Sequence, residues 1–98
     1  MTQGYALVTG ASAGLGAEFA RQLAANGLNL LLVARRGERL QTLAASLHQE
    51  FGVTVKTLVA DLAQPSAPLL IEQFCHDNTL QIDWLINNAG IAGPDLLT

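Results

Sequence analysis

The stretch Thr9-Gly10-Ala11-Ser12-Ala13-Gly14-Leu15-Gly16 has the clearest capacity for chemistry in this sequence. It follows a short apolar run, Tyr5-Ala6-Leu7-Val8, and opens a segment with helical spacing. The first turn of a helix holds N–H groups without intrahelical acceptors and carries a partial positive charge. Glycines let an anion approach that turn, because no side chain blocks the way. A strand that runs through glycines into a helix therefore makes a pyrophosphate site, and the chain is expected to bind a phosphate-bearing nucleotide. Taken alone, such a turn can serve only to pack a helix on a sheet. Its position at the first strand-to-helix junction favours the ligand-binding reading.

A second group of residues bears on which nucleotide. An NAD site places a carboxylate at the end of the second strand, about 20 residues after the first glycine, to bind the ribose 2′-OH. The matching position here is Ala34, followed by Arg35 and Arg36. No acid stands there to repel a 2′-phosphate, and a guanidinium pairs with phosphate in a forked geometry. NADP(H) is the expected cofactor ahead of NAD, with Arg35 the first candidate for the phosphate and Arg36 the second. The bland alternative is that both arginines are solvated turn residues.

These residues need a scaffold, and the pattern around them alternates strand and helix without a break. Strands are expected at Tyr5 to Thr9, Leu28 to Ala34, Val53 to Ala60 and Ile82 to Ile86. The second of these is almost wholly apolar, as a strand covered on both faces must be. Helices are expected at Gly14 to Asn26, with Leu15, Phe19 and Leu23 stacked, and at Glu38 to Phe51, with Leu40, Leu43, Ala44, Leu47 and Phe51 on one stripe. A third runs from Leu69 to Asn78, turning Leu70, Ile71, Phe74 and Cys75 toward the sheet, with Ser66 as its N-cap. Gly27 and Gly52 end the first two helices. Asn87 to Pro94 reads as loop. The fold class is α/β, a Rossmann-type doubly wound parallel sheet, incomplete in this chain. Right-handed crossovers give the strand order 3-2-1-4, with the ligand in the crevice between strands 1 and 4.

Composition narrows the remaining possibilities. The chain has 98 residues, half of them apolar and only 13% charged, with a net charge of −3. That is apolar for so short a chain, and further parts of the domain are expected to cover the excess. The fourth strand, Ile82-Asp83-Trp84-Leu85-Ile86, is too apolar for a natural exposed edge, so the chain is expected to stop in mid-sheet. No basic run points to nucleic acid or to an anionic membrane. The longest apolar run is too short for a bilayer span, and Met1-Thr2-Gln3-Gly4 lacks the features of a signal peptide. A soluble cytoplasmic protein is the expectation. The single cysteine, Cys75, excludes an intrachain disulfide and reads as a helix-face thiol, and no Cys/His cluster suggests a metal.

Three segments together resemble the short-chain dehydrogenase/reductase family. Thr9 to Gly16 resembles its TGxxxGxG signature, Asn87-Asn88-Ala89-Gly90 its NNAG segment after strand 4, and Asp61-Leu62 its adenine-contacting dipeptide after strand 3. They fall in the right order and at the right distances, and the resemblance covers the whole chain as the N-terminal part, residues 1–98, of one dinucleotide-binding domain. It implies that Gly10, Ser12, Gly14, Leu15 and Gly16 line the pyrophosphate and adenosine ribose. It implies that Asp61 accepts from the adenine amino group and that the Leu62 N–H donates to the ring. Asn88, Ala89 and Gly90 would lie along the adenosine ribose, with Ile91 just beyond, while Asn87 ties strand 4 to its neighbours. Taken alone, Asp61 can equally be a turn aspartate. Many NADP-using relatives carry a basic residue just before the middle glycine, where this chain has Ala13.

The resemblance also implies an oxidoreductase that moves hydride between the nicotinamide and a ketone, an aldehyde or a secondary alcohol, as a homodimer or homotetramer when full length. Family members place a serine and a YxxxK motif well downstream of NNAG. This chain holds neither: its one tyrosine is Tyr5, followed four residues later by Thr9, and its serines are Ser12, Ser46 and Ser66. His48 and His76 fall on solvated helix faces without partners. No catalytic residue is therefore assigned. Gly27-Leu28-Asn29, Ala34-Arg35-Arg36 and Arg39-Leu40 together resemble relatives acting on acyl or steroid ketones. The alternative is a non-catalytic nucleotide-binding module, such as a redox sensor or a truncated paralogue.

Overall fold

The computed structural model describes residues 4–11 and 14–87, with only the backbone of Asn87. Its elements are β1 (Gly4–Thr9), α1 (Gly14–Ala25), β2 (Asn29–Ala34), α2 (Gly37–Phe51), β3 (Val55–Val59), α3 (Ala67–Asp77) and β4 (Gln81–Asn87). Every strand pair is parallel and the order is β3-β2-β1-β4, as expected. Asn87 ends the last strand rather than opening the loop, and residues 88–98 lie outside the described residues. Every other element boundary lies within two residues of its expected place, the largest differences being that β3 begins at Val55 instead of Val53 and α3 at Ala67 instead of Leu69.

The central strand explains the architecture. Leu30, Leu31, Leu32 and Val33 of β2 are all fully buried. Alternate side chains of a strand point to opposite faces, so both faces of this sheet must be covered. Each large side chain so buried stabilises the fold by about 1.5–3 kcal/mol relative to leaving it in water. One face packs Ala6, Val8, Leu30 and Leu32 against Ala20 and Ala24 of α1 and Leu40, Ala44 and Leu47 of α2. The other packs Leu7, Leu31 and Val33 against Ile71, Phe74 and Cys75 of α3.

The face of α1 differs from the expected stripe. Gly16, Ala20 and Ala24 are its buried residues, while Leu15 is 56% exposed. Small residues at i, i+4 and i+8 bring the helix axis close to the strands, and the larger Leu23 packs at the flank. On α3, Leu70 is likewise half exposed, because Ile71, Phe74 and Cys75 already fill the inward arc. Ser66 occupies the N-cap position of α3, yet its backbone is αR and its hydroxyl makes no capping bond. Pro68 in the first turn suits that start, since its missing N–H is one the helix leaves unpaired anyway.

β4 carries a feature that sequence periodicity does not reveal. Tyr5 pairs with Ile82 and Ala6 pairs with Trp84, which leaves Asp83 bulged out of the ladder. The Asp83 carboxylate occupies the place a side chain at position 4 would take, so a larger residue there would have to turn that exposed carboxylate aside. The bulge switches the alternation of the strand. Ile82 packs on the α3 side of the sheet and Ile86 on the α1 side. Beyond it the register runs true, and Asn87 lies abreast of Thr9.

Burial pushes the Cys75 thiol above its ordinary pKa. The folded chain then favours the thiol, and this preference is lost as pH rises through the thiol range. Cys75 is expected to react with a thiol-disulfide reagent more slowly than a cysteine peptide near pH 8. Equal rates would show that α3 leaves it open. Packing of α1 gives a second expectation, read by urea unfolding of the full-length protein. Ala20→Leu costs about 1–3 kcal/mol by overpacking, whereas Leu15→Ala stays within about 0.5 kcal/mol.

Candidate functional site

Those of the residues singled out in the sequence that the structure describes lie at one edge of the sheet, above the C-terminal ends of the strands. Thr9 is abreast of Val33 on one side and of Asn87 on the other, and Ala34 is abreast of Val59. Three hydrogen bonds tie these ends together. The Thr9 hydroxyl donates to the Ile86 carbonyl at 3.4 Å, the Ala11 N–H to the Val33 carbonyl at 3.3 Å, and the Ala60 N–H to the Ala34 carbonyl at 3.0 Å. β1 and β2 connect to neighbours on one side, whereas β4 returns to the far side of β1. The crevice between β1 and β4 is thus the point where the winding reverses, the usual place for a ligand in such sheets.

The glycine loop has the geometry its composition predicts. Gly10 has φ +64° and Gly14 has φ +56°, both in the left-handed region. A residue with a side chain would be strained at either place. Among the described residues nothing lies within 4 Å of a Cβ built on Gly14, so none of them fills the space beside the first turn of α1. Leu15 is exposed beside it and Gly16 is buried against the sheet. Ser12 and Ala13 lie outside the described residues, as do Asn88, Ala89, Gly90 and Ile91.

The basic group stands at the end of β2. Ala34 is buried, and Arg35, Arg36 and Arg39 are exposed. Of the chain's five cationic side chains these three fall within five residues. Arg21 pairs with Glu50 at 3.2 Å on the opposite end of the helical layer, whereas Arg35, Arg36 and Arg39 have no ion pair or side-chain hydrogen bond among the described residues. Arg36 is also the N-cap of α2, with extended backbone and no side-chain cap bond, so the first N–H groups of that helix remain unbonded to a cap. Glu38 stands in the same turn without an ion pair among the described residues.

Asp61 and Leu62 follow β3. The Asp61 carboxylate accepts the Ala63 N–H at 3.0 Å and its carbonyl accepts the Gln64 N–H at 2.9 Å. The side chain therefore shapes a turn, and one oxygen of the carboxylate remains for a ligand. Leu62 is anchored on the α3-side core. Outside this edge, His48 does have a partner: its Nδ1 lies 2.8 Å from the Val53 carbonyl, which clamps the end of α2 to the chain entering β3. His76 stands 3.7 Å from the Asp77 carboxylate. No cluster of three metal-binding side chains occurs among the described residues, and none of their helices is long and apolar enough to cross a membrane.

The parallel order, the winding reversal and the glycine loop define a Rossmann-type α/β domain. The short chain dehydrogenase family matches residues 4–97, and the chain belongs to that family. It is 41% identical over 90 residues to a very-long-chain 3-oxoacyl-CoA reductase of Phaeosphaeria nodorum, covering 90% of this chain and 26% of that protein. The short-chain dehydrogenase of Sphingobium yanoikuyae, solved in complex with NADPH, is 45% identical with a TM-score of 0.81, covering 91% of this chain and 34% of that one. The bulky-bulky ketone specific alcohol dehydrogenase of Comamonas testosteroni is 39% identical with a TM-score of 0.80, covering 96% and 38%. The chain thus spans about a quarter to two fifths of the length of these relatives.

Replacing Gly10 by alanine is expected to cost about 1–2 kcal/mol from the left-handed backbone alone. The same change should weaken dinucleotide binding by the full-length protein. A variant with unchanged stability and unchanged binding would mean that the loop adopts another backbone.

Proposed function

We propose that this chain is the NADP(H)-binding part of an oxidoreductase that interconverts a ketone or aldehyde and its alcohol. The nicotinamide of such a cofactor, when bound, supplies or accepts the hydride. The residues present suit the rest of the molecule. The turn with left-handed Gly10 and Gly14, leading into the start of α1, suits a pyrophosphate. Asp61 and the Leu62 N–H suit the adenine edge, with Ser12, Leu15, Gly16, Asn88, Ala89 and Gly90 along the adenosine half. The serine and YxxxK of the family would come from sequence beyond this chain.

One observation carries the choice of cofactor. Arg35 and Arg36 stand exposed, without side-chain partners among the described residues, directly after Ala34, the position where an NAD site would hold a carboxylate. A 2′-phosphate would satisfy them with charge-assisted hydrogen bonds. The relatives agree in direction, since the Sphingobium enzyme is solved with NADPH. Their names, an oxoacyl-CoA reductase and a bulky-ketone dehydrogenase, favour a large ketone as substrate.

The test is a comparison of cofactors in the full-length protein. NADPH is expected to support reduction of bulky ketones, and Arg35→Ala to weaken NADPH roughly tenfold or more while leaving NADH almost unchanged. Equal losses for the two cofactors would sink the phosphate assignment. Tight binding of NADPH without turnover of any carbonyl would favour the non-catalytic module.

A further inference from the structure

Gly37 opens α2 directly after the two arginines, and the backbone does not require a glycine there. Its φ is not positive, unlike those of Gly10, Gly14, Gly27 and Gly52. Glycine is a poor helix residue, so an alanine would suit the helix better. What stands beside it is the end of β3. A Cβ on Gly37 would stand 3.2 Å from Cγ2 of Val59, at the C-terminal end of β3. One turn further along α2, Gln41 Nε2 donates to Thr57 Oγ1 at 3.1 Å. The two contacts are commensurate. Four residues of helix advance about 6 Å, and two residues of strand about 6.6 Å. The start of α2 is thus laid against the end of β3 at two points, one limiting the approach and one fixing the position along the strand.

We infer that Gly37 and Gln41 are positioning residues that set the Arg35–Arg36 turn over the strand ends, so that the absent side chain at position 37 helps determine the preference for a 2′-phosphate over a 2′-hydroxyl. The inference rests on the reading of Arg35 and Arg36 given above. A side chain at 37 requires Val59 or the first turn of α2 to give by a few tenths of an ångström, and to the extent that the turn moves it carries the preceding guanidiniums with it. Forked hydrogen bonds to phosphate are directional, so a displacement of a few tenths of an ångström falls on NADPH. NADH has no group there and is spared.

The experiment measures dissociation constants for NADPH and NADH, together with Tm, in the full-length protein. Gly37→Val is expected to weaken NADPH several-fold, on the order of tenfold at most, and to change NADH by less than about twofold. Gly37→Ala should move the same ratio in the same direction by less. Adding Val59→Ala to Gly37→Val makes room for the new side chain and should restore most of the NADPH affinity. Gly37→Val losing both cofactors equally while Arg35→Ala remains selective for NADPH would overturn the inference alone. So would a failure of Val59→Ala to restore binding in a folded double variant. Arg35→Ala losing both cofactors equally would overturn the phosphate reading and this inference with it.

Discussion

Burial of β2 on both faces is the constraint from which the rest of the structure follows. Leu30 to Val33 have no exposed surface, so helices must cover the sheet above and below. Parallel neighbours then require crossovers, and right-handed crossovers return each chain segment over the same edge. The loops that follow the strands gather there without any attraction between them. Hydrogen bonds from Thr9, Ala11 and Ala60 to carbonyls of the adjoining strands hold the loop roots abreast. The chemistry expected of the edge is borne by irregular backbone, and its precision comes from the apolar layer underneath.

Much of this was legible because burial writes itself into periodicity. The apolar run of β2 could only be an interior strand, and the stripe from Leu40 to Phe51 could only be a helix on a sheet. The glycines were legible because Gly10 and Gly14 adopt a backbone that other residues avoid. α1 misled for a physical reason. Pattern reading weights large apolar residues, whereas close approach of a helix to strands selects small ones, so Gly16, Ala20 and Ala24 took the inward face that Leu15 was expected to share. The bulge at Asp83 left no sequence signal, since it depends on how two strands distant in sequence pair, with the Asp83 carboxylate beside Gly4. Ser66 and His48 show the same limit. A hydroxyl at a cap position need not bond, and a histidine partner such as the Val53 carbonyl is set by how the chain turns after Gly52.

The two edges of the sheet are built differently. β3 carries Lys56 along its length, and a charged side chain on an edge strand discourages pairing with another chain. β4 instead exposes Trp84 and Leu85, one on each side, with Leu69 and Leu70 of α3 also open. Large apolar groups on both faces of a strand are the mark of an interior position. Relatives more than twice as long as this chain have further sequence available to cover such a surface.

Electrostatics at the site is local rather than global. The chain as a whole is negative, and a dinucleotide phosphate is negative too, so the overall field does not favour their encounter. At physiological salt, charges more than about 8 Å apart are largely screened. What remains is decided within a few ångströms. Glu38 and Asp61 lie near the edge as well, yet Asp61 already has one oxygen committed to the Ala63 N–H, and Glu38 makes no ion pair with the arginines among the described residues. The guanidiniums of Arg35 and Arg36 thus keep their donors available, whereas Arg21 has surrendered one of its own to Glu50. If Arg35 and Arg36 meet a 2′-phosphate, as proposed, discrimination would rest on the direction of a few donors rather than on bulk charge. The placement of the turn that carries them therefore matters as much as the residues themselves.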